Sequence, residues 1–272
     1  MEKILIIGGN GFIGNFLANE LSKTGYLPIV ATRQRRSFCQ HKQIEFNVLD
    51  QKTWKNLPQL EQVVNLAWYT VHPNFWNAPE NIQYRIANSK LFEYLAEGSF
   101  LHAVIAGTCA EYLCEKNSQS TELGRSKLDY LNNIKQISNS SALKFNWARL
   151  FFVYGQGEPS TKLLTQIRNN EVELENIRDP QSIRDFVHVD MVSEQFQYLI
   201  NNRTEGVNDV GSGYGLRVMD LLTKENVDKS MLKKYRASPT KSELIANTTW
   251  LKRFGIEIEP EKIMFKFREF IN

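Results

Sequence analysis

The chain has 272 residues, 42% of them hydrophobic and 23% charged, with 15 glycines and 8 prolines. This is enough for one large domain or two small ones around a sizeable core, and it excludes disordered, collagen-like and low-complexity chains. With 33 basic and 30 acidic side chains the net charge is +3, too slight to argue for a nucleic-acid partner, and no apolar run approaches the ~18 residues of a membrane-spanning helix.

A first strand is expected at residues 3–7, almost free of polar side chains, as when both faces are covered. It begins without the basic region, apolar stretch and cleavage site of a secretory signal. Cys39, Cys109 and Cys114 are an odd number without metal-ligand spacing. The expectation is therefore a reduced, cytoplasmic setting with no metal and no membrane. A helix over 12–23 follows and stops at Gly25, which suits a C-terminal cap. Strands are expected at 27–32, 44–48 and 62–66, then a helix over 78–96, a strand at 102–106, a helix over 122–137 and a strand at 144–150. Strands alternating with helices predict an α/β fold, a doubly wound parallel sheet of the Rossmann-like kind.

After Gly155 the pattern changes. Helical stretches at 161–169 and 190–201 are interleaved with short strands near Val172, Phe186 and Val207, and two short helices, 248–254 and 261–270, close the chain. No linker rich in Gly, Ser or Pro separates the halves. The expected organisation is a dinucleotide-binding domain over 1–155 and a small, interleaved C-terminal α/β lobe for substrate over 156–272.

The run Gly8-Gly9-Asn10-Gly11-Phe12-Ile13-Gly14 places glycines at 8, 11 and 14 between the first strand and the first helix. The first permits a turn too tight for a side chain, the second lets backbone approach a pyrophosphate, and the third allows close helix–sheet packing. The helix N-terminus then offers unpaired N–H groups to the anion. A merely tight turn also uses glycines, but the strand–loop–helix context favours a diphosphate ligand.

This spacing resembles that of extended short-chain dehydrogenases/reductases, the nucleotide-sugar epimerases, dehydratases and 4-ketoreductases, and the resemblance runs over nearly the whole chain. Val63-Val64-Asn65-Leu66-Ala67 matches the strand whose end lies against the cofactor, and Gly107-Thr108-Cys109-Ala110-Glu111-Tyr112 the segment carrying the catalytic Ser or Thr. The stretch from Ala148 to Gly155 matches the strand entering the substrate lobe. Arg184-Asp185-Phe186-Val187-His188-Val189-Asp190 matches a segment whose Arg binds the nucleotide diphosphate, and 207–213 resembles an N-I-G-S-G turn with Asp209 in place of Asn. Ala67-Trp68-Tyr69 together with 107–112 is most similar to bacterial reductases of nucleotide-linked 4-keto-6-deoxysugars.

The resemblance implies a cofactor-binding set of Gly8, Gly11, Phe12, Ile13, Gly14, Thr32, Arg33, Arg36, Val48, Leu66, Ala67, Trp68 and Lys127. NAD readers place Asp or Glu at the end of the second strand to hold the adenosine ribose. Here that position reads Ala31-Thr32-Arg33-Gln34-Arg35-Arg36, with no acid, and three guanidinium groups suit a 2′-phosphate. NADP(H) is expected over NAD(H), although a solvated basic loop has the same composition.

Family members use a Ser/Thr to orient the substrate oxygen and a Tyr to exchange its proton. A Lys four residues on, on the same helix face, lowers the Tyr pKa and holds the nicotinamide ribose. Thr108 fills the hydroxyl position and Lys127 the lysine position, but Leu123-Gly124-Arg125-Ser126-Lys127 stands against Tyr-Gly-x-Ser-Lys, so Leu123 replaces the acid. Three explanations remain open: another donor acts (Tyr112, or water held by Thr108 and Lys127), the chemistry needs no phenol, or the chain binds without turning over. Tyr130 lies about 10 Å along the helix from position 123, too far to substitute. A positioned acid–base group is worth roughly 10²–10⁴-fold in rate, so its loss slows an ordinary reductase severely without abolishing it.

For substrate, Phe152, Thr108, Arg184 and Arg236 are expected to contact a nucleotide-linked sugar. His188, Asp185, Asp190 and Cys109 read as structural, and the rings of Trp68, Tyr69, Phe75 and Trp76 serve packing or stack on a ligand. The helices at 78–96 and 122–137 correspond to those that pair subunits in relatives. Leu128, Leu131 and Ile134 are compatible with such a homodimer and equally with packing inside one chain. The expected function is an NADP(H)-dependent reductase of a keto-sugar nucleotide in surface-polysaccharide or antibiotic-sugar synthesis. The alternatives are a catalytically silent binding protein of the same fold and, third, a sugar-nucleotide epimerase or dehydratase, which depends on the same missing tyrosine.

Overall fold

The computed structural model describes residues 1–71, 74–115, 120–172, 177, 179–224 and 242–271. Strand β1 (Glu2–Ile7) is an interior strand of a seven-stranded sheet, with Ile4, Leu5, Ile6 and Ile7 fully buried, covered on both faces. It pairs in parallel with β2 (Tyr26–Thr32), Ile7 opposite Ala31, and on its other side with β4 (Gln62–Asn65), Ile7 opposite Asn65. With β3 (Lys42–Glu45), β5 (His102–Thr108), β6 (Lys144–Leu150) and β9 (Gly206–Val210) the order is β3-β2-β1-β4-β5-β6-β9. The chain steps outward from β1 to β3, then returns to β4 and moves outward the other way. The order reverses between β1 and β4, and the carboxyl ends of these two strands border the crevice where such sheets bind ligands. This is the doubly wound, Rossmann-like α/β architecture expected.

Helix α1 (Phe12–Lys23) buries Gly14, Leu17, Ala18 and Leu21, a stripe at helical spacing, and ends where Gly25 takes φ +98°. Helices α2 (Glu80–Glu97), α3 (Ala110–Glu115) and α4 (Glu122–Asn139) follow β4 and β5. Leu131 and Ile134 of α4 sit in the chain's own core with Phe145 and Trp147. Intramolecular packing thus accounts for two of the three apolar residues considered for a dimer contact.

Several boundaries move. The third strand was expected to reach Val48 but ends at Glu45, because Asn47 starts a turn. The Asn47 side-chain oxygen accepts the Leu49 N–H, and the Asp50 carboxylate accepts the Lys52 N–H to cap a short 3-10 helix, Gln51–Asn56. Val48 drops into the core with Phe46 and Trp54. β5 runs two residues beyond its expected end, to Thr108. Val172 lies in no strand, and the four residues after it fall outside those described.

The residues group into two compact units, one of residues 1–149 and 193–208, the other of 150–192 and 209–272. Within the second, β8 (Ile183–His188) is central. β7 (Phe152–Tyr154) and β11 (Glu243–Leu244) run parallel to it and β10 (Gly215–Arg217) antiparallel. Helices α5 (Leu163–Arg168), α7 (Val218–Lys224) and α8 (Pro260–Ile271) help cover a core around Tyr154, Phe186, Leu222 and Phe267. Helix α6 (Val189–Asn201) starts in this unit and ends in the first. Among the described residues no helix is long and apolar enough to cross a membrane.

Candidate functional site

The loop after β1 is built by its glycines. Gly8 takes φ +82°, and a Cβ there would meet the backbone of Leu66 and Ala67 at 3.2 Å. Gly11 donates its N–H to the Gly8 carbonyl (2.9 Å) and serves as N-cap of α1 with no side-chain cap and no acid in the first turn. A Cβ on Gly14 would lie 2.5 Å from the Gly8 carbonyl oxygen and 2.6 Å from the Gly9 Cα, so only glycine lets α1 approach this closely. The residues fit a dinucleotide: a cradle without side chains and a helix N-terminus uncapped by an acid, at the switch point of the sheet. Phe12 and Ile13 follow on the first turn of α1, both half-buried.

The second strand ends at Thr32, whose hydroxyl donates to the Gln34 carbonyl (2.9 Å) and accepts from the Asn10 amide (3.2 Å). The Asn10 amide also donates to the Gln34 carbonyl and the Gln43 side chain, each at 2.9 Å, and ties the phosphate loop to β2 and β3. Asn10 carries no role in the sequence reading, although its place inside the glycine run was a signal. Arg33, Arg35 and Arg36 are exposed, Arg36 resting 5.5 Å from the Phe38 ring centre. Val48, expected at the cofactor, packs in the core with Phe46 and Trp54.

Beyond β4 the sheet ladder runs on through Leu66, whose N–H donates to the Ile7 carbonyl (2.9 Å), which brings Leu66 and Ala67 against Gly8. Three buried asparagines hold this strand end. Asn65 accepts the Ala67 N–H and donates to Asn88, Asn88 donates to the Ala67 carbonyl, and Asn81 accepts the Trp68 indole N–H at 2.8 Å. Each pairing satisfies polar groups that burial would otherwise penalise.

At the expected reaction centre, Thr108 ends β5 and its hydroxyl oxygen accepts the Ala110 N–H (3.3 Å), so its own proton remains to donate. Its backbone N–H donates to Glu111 (2.7 Å). Glu111 is fully buried, accepting also from the Trp147 indole (3.1 Å) and the Arg149 guanidinium (2.8 Å). Burial lifts its pKa above the ordinary carboxylate value, against the pull of Arg149 and of its N–H donors. Sequence reasoning quoted both segments but did not join Glu111 to Arg149, which lie far apart in the chain. Tyr112 packs beneath the same guanidinium, 4.2 Å from ring centre to Cζ. The ring of this candidate proton donor is thereby engaged with Arg149.

Leu123 is 5% exposed. Lys127, one turn on, is buried, donates to the Ala106 carbonyl (2.5 Å), and places its amine 3.7 Å from the Trp68 ring centre and 5.6 Å from that of Trp147. Burial pushes the lysine pKa down to about 7, with the Glu111 charge opposing. Desolvated cation–π contacts of this kind are worth about 2 kcal/mol. Tyr130, stacked on Trp68 at 6.0 Å and edge-on to Trp147, is core, and its pKa is driven up by burial.

In the second unit Arg184 is half-buried and held by its own surroundings: it donates to the Ser242 carbonyl and hydroxyl (2.8 Å each), and stands 4.0 Å from Asp179 and 5.6 Å from the Phe152 ring. Phe152 in turn packs 5.8 Å from Phe186. Asp185 organises a turn as expected, accepting from Ser212, Gly213 and Ala246 backbone N–H groups. His188 stands edge-on to Tyr154 and 3.3 Å from Asp190, with its pKa lowered by burial. Arg236 lies outside the described residues. Among the described residues no group of three His, Cys, Asp or Glu is placed to hold a metal.

A glycine-floored cradle at the switch point of this sheet order defines a Rossmann-type dinucleotide-binding protein. The model of the NAD dependent epimerase/dehydratase family matches residues 4–211, and the chain belongs to that family. No curated protein sequence matches it. Among solved structures it is similar to TunA, an NAD dependent NDP-hexosamine 5,6-dehydratase involved in tunicamycin biosynthesis (TM-score 0.76, 23% identity, covering 99% of this chain and 97% of that one). It is also similar to UDP-N-acetylglucosamine 4-epimerase from Methanobrevibacter ruminantium M1 in complex with UDP-N-acetylmuramic acid (0.76, 17%, 99% and 97%). MoeE5 in complex with UDP-glucuronic acid and NAD matches with TM-score 0.74 and 18% identity over 94% of each chain. At these identities the likeness shows the fold.

Proposed function

We propose that the chain binds a nicotinamide dinucleotide in the Gly8–Gly14 cradle and reduces a keto group of a nucleotide-linked sugar. The observation that carries this reading is the cradle itself: Gly8 at φ +82° and Gly14 too close to the Gly8 and Gly9 backbone for a Cβ, before a helix N-terminus with no side-chain cap. When bound, the reduced dinucleotide supplies the hydride. Thr108, with its hydroxyl proton free to donate, orients the carbonyl oxygen, and the proton that completes the alcohol comes from water rather than from a side chain at position 123. The exposed Arg33, Arg35 and Arg36 and the absence of an acid at the end of β2 support NADP(H). NAD(H) is the second reading, favoured by the family description and by the NAD bound in the MoeE5 structure. Titration with NADPH and NADH separates them; equal or tighter NADH binding overturns the arginine argument.

A second reading of the activity, binding without turnover, is favoured by Leu123 and by the burial of Lys127 under Trp68. Epimerase or dehydratase chemistry, which the names of the neighbours suggest, relies in the family on the tyrosine this chain lacks. The test is incubation of a panel of 4-keto nucleotide sugars with NADPH, beside a Leu123→Tyr variant. Slow turnover by the wild type, raised by the variant roughly 10²-fold or more, supports the reductase; activity in the variant alone makes the wild type a binder. A cytoplasmic homodimer belongs to the same proposal, with Ile82 and Ile86 as apolar side chains that α2 leaves exposed, and light scattering tests it.

A further inference from the structure

The three arginines that follow β2 lie on an exposed loop in no strand or helix, and like charges in so short a stretch repel one another. Gln43 holds the far end of this loop. It is the second residue of the edge strand β3, and it spends both halves of its amide on Arg36. Its oxygen accepts the Arg36 backbone N–H (2.8 Å) and its nitrogen donates to the Arg36 carbonyl (2.8 Å). A side chain here does what a neighbouring strand would do for one backbone residue. The same Gln43 oxygen accepts the Asn10 amide N–H (2.9 Å), and Asn10 also donates to the Gln34 carbonyl (2.9 Å). The basic loop is thus tied at residues 34 and 36, and both ties lead back to Asn10, one residue before the N-cap of α1.

We infer that Gln43 is a positioning residue: it holds the 33–36 loop in one shape beside the phosphate loop, and through the arginines it sets the preference for NADP(H) over NAD(H). The inference rests on the NADP(H) reading above. A loop ordered only when ligand arrives loses conformational entropy at that moment, and a loop ordered beforehand does not. Only a side chain with a donor and an acceptor side by side can pair both backbone groups of Arg36; an apolar side chain pairs neither. The charges themselves belong to the arginines, so Gln43 has no effect on affinity except through them. A residue that acts in this way loses its effect when the arginines are removed. A residue that merely braces the edge of the sheet changes the affinity for both cofactors alike.

Two measurements on the full chain test this. The first is limited digestion with trypsin, which cuts after arginine, read by mass spectrometry. Cleavage after Arg33, Arg35 and Arg36 is expected to be at least about tenfold faster in Gln43→Leu than in the wild type. Cleavage after the exposed Arg217 in the second unit is expected to stay the same, which separates a loosened loop from a variant that folds poorly. Gln43→Met, unbranched like glutamine, gives the same reading if the leucine variant folds poorly. Equal cleavage of the loop in wild type and variant overturns the inference. The second is affinity for NADPH and NADH by calorimetry. Gln43→Leu is expected to weaken NADPH about tenfold and NADH less than about twofold, and to weaken NADPH no further when Arg33→Ala and Arg36→Ala are already present. Equal losses for the two cofactors, or a further loss in the background without the arginines, overturn it. If the wild type binds NADH as tightly as NADPH, the NADP(H) reading falls and the role assigned to Gln43 falls with it, while the digestion still reports whether Gln43 holds the loop.

Discussion

Two regions of the first unit, both at the carboxyl end of the same sheet, have diverged in character. The Gly8–Gly14 loop is open, a cradle kept clear by glycines and backed by a helix N-terminus without a side-chain cap. The region around Thr108, Glu111 and Lys127 is filled: a carboxylate, a guanidinium, a lysine and two indoles satisfy one another in the interior. Binding a dinucleotide needs shape and a helix N-terminus without a side-chain cap, which the first region has. Proton exchange needs a donor with access to substrate, and among the titratable groups of the second region Glu111 and Lys127 are committed inward. The comparison teaches that capture of the cofactor and chemistry upon it are separable properties of one fold.

The largest effect is expected where the filled region is broken. Glu111→Ala leaves the Arg149 charge buried beside an empty site and is expected to cost about 3–5 kcal/mol of stability, measured by urea denaturation. A loss below about 1 kcal/mol means the pair is solvated and the contrast with the open loop is weaker than drawn. The open region is broken by Gly14→Ala. The added Cβ meets the backbone of Gly8 and Gly9, and a loss of about 1–3 kcal/mol with abolished dinucleotide binding is expected by thermal melts and titration.

A pH series sharpens the contrast. Burial brings the Lys127 pKa to about 7, below its ordinary value of 10.5. Between those values the unfolded chain holds a proton that the folded chain has released, so this lysine's contribution to stability rises with pH. Lys127→Met is therefore expected to gain most over the wild type near pH 7, on the order of a few kcal/mol, with the gap closing toward pH 10. A gap independent of pH places the amine in contact with water. The smallest effect is expected at the rim of the cradle. Arg33→Ala with Arg36→Ala is expected to lower NADPH affinity about tenfold with little change for NADH.

The sheet and the phosphate loop were legible in the sequence because their signals are local. The apolar run of residues 4–7, the helical stripe Leu17, Ala18 and Leu21, and the glycine spacing each lie within a dozen residues. The end of β3 was not, since Val48 looks like a strand residue and only the Asn47 turn takes it out of the sheet. The short α3 escaped notice between β5 and a longer helix. At the reaction centre Leu123 was read in the place of the family's tyrosine, but the fate of Lys127 was not legible. Its enclosure depends on Trp68 and Trp147, brought together from segments far apart in the chain, and no spacing rule reports such a meeting. The same holds for Arg184, whose bonds to Ser242 join segments 58 residues apart.

The most direct measurement is calorimetric titration of the wild type and of Gly14→Ala with NADPH and NADH. Saturable binding to the wild type that disappears in Gly14→Ala is the expected result. A flat trace for both reduced cofactors, or binding undiminished by the added methyl group, contradicts the assignment of the Gly8–Gly14 cradle as the dinucleotide site.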